Sequence, residues 1–181
     1  ASIPERGEGK NLIVSVYNIE QEDFPALTRA TISQYFGRLN FAVYDSVGTR
    51  VKQVNQQRDD KDFGTAGFNI PQGKYKVVVV AHSSNGNPTM TDMAKIKFEN
   101  SDGFTDTFMS YDSVEIAEDP VSLPVSIRRI STLCRFVLTD TIPSEVTKMR
   151  FLYTGGSGAF NAATGLGSVN SKQLADRKSV V

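Results

Sequence analysis

Cysteine and histidine are almost missing from this 181-residue chain, each occurring once, as Cys134 and His82. A single cysteine closes no intrachain disulfide, and the two residues together cannot assemble the usual Cys/His zinc ligand sets. A zinc site of that kind is excluded. Net charge is missing too, since twenty acidic and twenty basic residues cancel. No Lys/Arg cluster stands out, so the electrostatic footprint of a nucleic-acid or anionic-membrane binder is absent and no nucleic acid is expected as a partner. No segment approaches the ~18 apolar residues of a spanning helix. The polar start from Ala1 to Gly9 lacks the apolar core of a signal peptide, so the compartment is not readable from that end.

What is present is enough apolar material, 39% of residues, for packed cores in one domain or two small ones. The most informative stretch runs from Phe68 to His82. Phe68 and Ile70 alternate with a polar residue, Pro71, Gln72 and Gly73 carry turn chemistry, and Val77 to Val80 form a β-branched run too short for a helix. This reads as strand, hairpin turn and an interior strand with apolar contacts on both faces.

The same period of two recurs along the chain. Leu12, Val14 and Val16 share a face in a strand from Asn11 to Ile19, as do Leu39, Phe41 and Val43 in the next. Asp45 to Gly48 turns the chain into a shorter strand holding Val51 and Val54. Gln56 to Asp62 is a polar loop, and Ser83 to Thr89 is turn chemistry throughout. Thr91 to Phe98 reads as a short helix or strand, and Phe104 to Ile116 as an irregular strand. Val121, Leu123, Val125 and Ile127 alternate perfectly, with Pro124 suited to an edge strand or a crossing. Leu133 to Thr139 and Met149 to Tyr153 complete the series. Strands at roughly ten-residue spacing with turns between them mean an all-β sandwich or barrel.

Ile70 to Ala81, with Arg38 to Asp45 upstream, resembles the N-terminal domain of the fimbrillin-like surface proteins of Bacteroidales bacteria, which include fimbrial anchor subunits. Ile127 to Asp140, with Ile142, Pro143 and Phe151 to Phe160, is similar to the start of that family's second domain. The resemblance implies a secreted lipoprotein with a signal peptide, built of two transthyretin-like (Ig-like) β-sandwich domains. These would be residues 1–119 and an incomplete second domain over residues 120–181. It implies a pilin-like, non-enzymatic component of surface fimbriae, acting in cell adhesion as subunit, anchor or tip. Its partners would be other fimbrial subunits through strand exchange, and the outer membrane through a lipid anchor upstream of Ala1. By the same resemblance Asn11 to Ile19 is the exchangeable strand, released by cleavage after Arg29 or Arg38. The alternative is a surface module that binds glycan or host protein through loops.

No catalytic, cofactor-binding or metal-ligating residue is assigned, and no cofactor is expected. His82 has no Gly-x-Ser-x-Gly elbow near any serine and reads as a surface or turn histidine. Cys134 falls on the core side of its strand with Phe136 and Leu138, as an inert thiol. Asp59, Asp60 and Asp62 suggest a calcium loop, but position twelve is Ile70 where a glutamate is needed. A solvated loop is the reading. Gly155 to Gly158, with Gly165 and Gly167, lacks the Gly-Lys-Ser/Thr of a phosphate loop. Phe108 and Tyr111 beside Asp106 and Asp112 have the chemistry of a carbohydrate groove, though such residues in a sandwich are more often core and rim.

Overall fold

The computed structural model describes residues 9–20, 29–99, 101–102, 105–131, 139–147 and 156–168. In chain order they form β1 (Leu12–Ile19), α1 (Arg29–Tyr35), β2 (Arg38–Tyr44), β3 (Arg50–Gln57), β4 (Thr65–Phe68) and β5 (Gly73–His82). These are followed by β6 (Ile96–Lys97), β7 (Phe108–Ile116), β8 (Val121–Arg129) and β9 (Ala159–Phe160). The strands expected over Leu133 to Thr139 and Met149 to Tyr153 lie, Thr139 apart, outside the described residues, as do Cys134 and Phe151.

Seven strands pair in the order β3-β2-β5-β7-β8-β1-β4. The ladder bends over on itself at β8, which meets β7 only through Phe108↔Arg129 and Met109↔Arg128 before running beside β1. The bend brings two layers face to face. Phe41, Val43, Val77 and Val79 from one layer share a core with Leu12, Val14, Val125 and Ile127 from the other. This is a β-sandwich, and its interior is the set of alternating positions that the period of two selects.

β5 lies at the centre, paired antiparallel with β2 on one side and β7 on the other. Val77 and Val79 enter the core between the layers, while Val78 and Val80 enter a second core on the outer face. There they meet Met90, Ile96 and Phe98 from the segment after β5, and Phe160 and Ala162 from the C-terminal part of the chain. Ile96 pairs with Phe160 in a two-stranded ribbon that closes this cover. Buried on both faces, the valine run needs a lid as well as a sandwich.

Three local expectations change. Pro71 to Gly73 does not close a hairpin: β4 pairs with β1, and both edges of β5 are already taken. The turn instead carries the chain from one layer to the other. The polar run from Gln56 begins inside β3, where Gln56 is buried and its amide donates to the carbonyls of Asp62 and Thr65 while accepting from Gly64 N. Gly64 has φ +102°, and a Cβ there would sit 3.0 Å from Ile32 Cδ1. α1 was not expected; Ile32 and Phe36, four apart, place one face of it on the core. Val121–Arg129 lies in the same sheet as β1.

Candidate functional site

β1 is the element whose surroundings are built as a slot. On one side it pairs antiparallel with β4, from Leu12↔Phe68 to Ser15↔Thr65. On the other it pairs parallel with β8, with an irregularity between Val16 and Asn18. Its inward residues Leu12, Val14, Val16 and Ile19 are all buried, each contributing about 1.5–3 kcal/mol on leaving water. The opposite face carries Ile13, Ser15 and an exposed Tyr17.

Polar contacts fix the register at both ends. The Asn11 side chain accepts from Ile70 N at 3.0 Å and donates to Ile70 O, holding the start of β1 against the turn after β4. Near the other end Asn18 Nδ2 donates to Ser126 Oγ at 3.0 Å, and Glu20 N donates to Ile127 O. A one-residue slip would turn Leu12, Val14 and Val16 outward, so these contacts and the apolar face specify the same register.

β8 supplies the wall that bounds the slot opposite β4. Its edge from Val121 to Ile127 that does not face β1 has no strand partner among the described residues. Pro124 lies in that stretch, exposed and without an amide proton, as an edge position tolerates. Arg38, one of the two expected cleavage positions, is paired with Gln57 and His82 inside β2. A protease needs accessible extended backbone, which β2 does not offer there. Arg29 is the first residue of α1.

His82 is not at the surface. It is fully buried at the end of β5, with its ring 4.8 Å from that of Phe98 in an edge-on contact. Asn40 Nδ2 donates to Asn55 Oδ1 and Asn87 Oδ1, which leaves Asn40 Oδ1 to accept from His82 Nε2 at 2.7 Å. Nδ1 then accepts from Ser84, whose Oγ is 2.6 Å away and whose N is 3.2 Å away. Burial, with the Arg38 charge adding to it, pulls the imidazole down to about 4. A neutral histidine pinned at both nitrogens beside a buried serine is a structural joint between β2, β5 and the following loop.

The other groups weighed from the sequence are dispersed among the described residues. Phe108 enters the inner core, whereas Tyr111, an odd number of positions away, packs against the outer one, so they share no groove. Asp112 lies on the inner side, its carboxyl raised by burial. Asp60 caps the β3–β4 turn through Gln57 N, and among the described residues no group of carboxylates, histidines or cysteines is arranged to hold a metal. Gly165 turns the chain after β9 with φ +72°.

A family model for the fimbrillin-A associated anchor proteins Mfa1 and Mfa2 matches residues 7–175. The chain belongs to this family. The description of that family is of anchor proteins associated with fimbrillin. Among solved structures, a candidate adhesin from Bacteroides thetaiotaomicron has the same fold at a TM-score of 0.52 and 10% identity, covering 67% of this chain and 46% of that one. The tip fimbrial protein Mfa3 of Porphyromonas gingivalis aligns at TM-score 0.37 and 14% identity, over 66% of this chain and 48% of that one. A fimbrial assembly protein from Parabacteroides distasonis gives 0.33 and 14%, over 66% and 51%. The chain thus spans about half the length of these proteins. No curated protein sequence matches it significantly.

Proposed function

We propose that this family member is a fimbrial assembly component, serving as subunit, anchor or tip, and that it joins its neighbours by β-strand complementation at the position of β1. The observation that carries the reading is the composition of the slot. β4 and β8 each present backbone donors and acceptors to one strand, and the inner core needs four aliphatic side chains from that strand. A strand from a second subunit with the same alternation satisfies both requirements at once. In an anchor β1 stays in place, and attachment to the outer membrane is through a lipid anchor preceding Ala1.

On this reading the sandwich is of the transthyretin-like type and takes in β8. The domain boundary then falls after Arg129 rather than at residue 119, a placement supported by the pairing of β8 with both β1 and β7. The role is non-enzymatic, and the resemblance of the strand pattern to fimbrial proteins supports it.

The test is a chain beginning at Arg29, with β1 removed and α1 with its core residues Ile32 and Phe36 kept, mixed with a labelled peptide of Asn11 to Glu20. The expected result is saturable binding that is lost when Val14 of the peptide becomes Asp. Binding indifferent to Val14→Asp, or no binding by a folded truncated chain, contradicts the proposal.

A further inference from the structure

A cleft of about 260 Å³ opens where α1, the ends of β5 and β8, and the start of β7 converge. Its apolar side is aromatic: Phe36 and Phe108, both buried, meet edge to face at 5.2 Å, and Tyr35 beside them is 44% exposed. Its polar side is planar. Arg129 Nε lies 3.0 and 3.1 Å from the two Asp106 oxygens and its Nη2 lies 2.9 Å from Oδ2, while the guanidinium stacks 4.8 Å from the centre of the Phe108 ring. The pair is still solvent-accessible, at 36% and 54% of the two side chains.

Two hydroxyls complete the rim, each already oriented by the backbone. Ser83 Oγ accepts from Gly37 N at 3.1 Å, and Thr105 Oγ1 accepts from Ser83 N at 2.9 Å. With their lone pairs engaged by amides, both hydroxyls have a proton to donate. One exposed tyrosine ring over a buried aromatic floor, a carboxylate that accepts, a guanidinium that donates and two directed hydroxyls are what a ring of C–H faces and vicinal hydroxyls requires. The volume falls just below the ~300–1,000 Å³ of sites for drug-sized ligands, so the cleft holds one ring rather than an extended chain.

We infer that this cleft is a binding site for a single pyranose residue of a glycan, with Tyr35 stacking on the sugar face and Asp106 with Arg129 taking an adjacent pair of hydroxyls. The site is distinct from the β1 slot and stands whether or not strand complementation does.

The experiment is an amide chemical-shift titration of the full chain with the methyl pyranosides of glucose, mannose, galactose and N-acetylglucosamine, one at a time, with glycerol as control. At least one sugar should move Ser83, Thr105, Asp106 and Phe108 along a saturating curve while β1 and β4 stay fixed. Tyr35→Ala should weaken that binding about three- to tenfold, the worth of one aromatic contact, and Asp106→Asn should weaken it further, both with the remaining spectrum unchanged. The inference is overturned if no sugar saturates these amides, if glycerol reproduces the shifts, or if Tyr35→Ala binds as tightly as the parent chain.

Discussion

β5 and β1 are both apolar strands flanked on two sides, yet they are held in different ways. β5 has antiparallel neighbours along its whole length and is buried on both faces, with Val77 to Ala81 showing no exposure at all. β1 has four paired positions with β4, a parallel and interrupted ladder with β8, and an outward face that ends in exposed Tyr17. Parallel pairing is slightly weaker per residue, and one-sided burial halves the apolar contacts. The difference separates a frame from a part that can be exchanged. A strand buried on both faces cannot leave without unfolding the molecule, whereas a strand buried on one face can be replaced by another with the same alternation.

The comparison breaks most visibly in the frame. Phe41→Ala, beside Val79 of β5 in the neighbouring strand, should cost about 3–5 kcal/mol in urea unfolding; a loss under ~1 kcal/mol would place Phe41 outside the core. Next comes pH. His82 holds its proton to about 4 in the fold against 6.5 when unfolded, so the unfolded chain binds more protons between those values and stability falls as pH drops through that window. The loss should reach about 3 kcal/mol. Asp112, raised by burial, acts in the opposite sense, so the difference between the parent chain and His82→Gln isolates the histidine; identical pH profiles would count against the buried joint. Asn18→Ala removes one hydrogen bond that fixes β1 to β8 and should cost about 1 kcal/mol. That variant should also raise the rate at which β1 opens without changing protection in β5. Smallest is Tyr17→Ser on the exposed face, expected within ~0.5 kcal/mol.

Much of the frame was legible because a period of two maps directly onto faces: Leu12/Val14/Val16, Leu39/Phe41/Val43 and Val125/Ile127 all point where alternation puts them. The valine run announced two buried faces. What covers the second one was not legible, because Met90, Ile96 and Phe160 come from segments with no strong period and meet only through long-range pairing. Turn chemistry set the local path at Pro71 to Gly73 but not which strand each arm would join. His82 looked like a surface residue because its partners Asn40, Ser84 and Phe98 are supplied by three separate stretches. The cleft was missed in part for the same reason, although the odd spacing of Phe108 and Tyr111 already places them on opposite faces, and Ile32 with Phe36 signalled the helical turn that supplies Tyr35.

Native-state hydrogen exchange on the full chain tests the distinction between exchangeable strand and frame most directly. The amides of Leu12, Val14 and Val16 should exchange through a sub-global opening, at a free energy below that of global unfolding and with weak dependence on denaturant, while Val77 to Val80 exchange only when the whole molecule unfolds. Equal protection of β1 and β5, with the same denaturant dependence, would contradict the account: β1 would then be part of the frame, and the slot would not be a site of exchange.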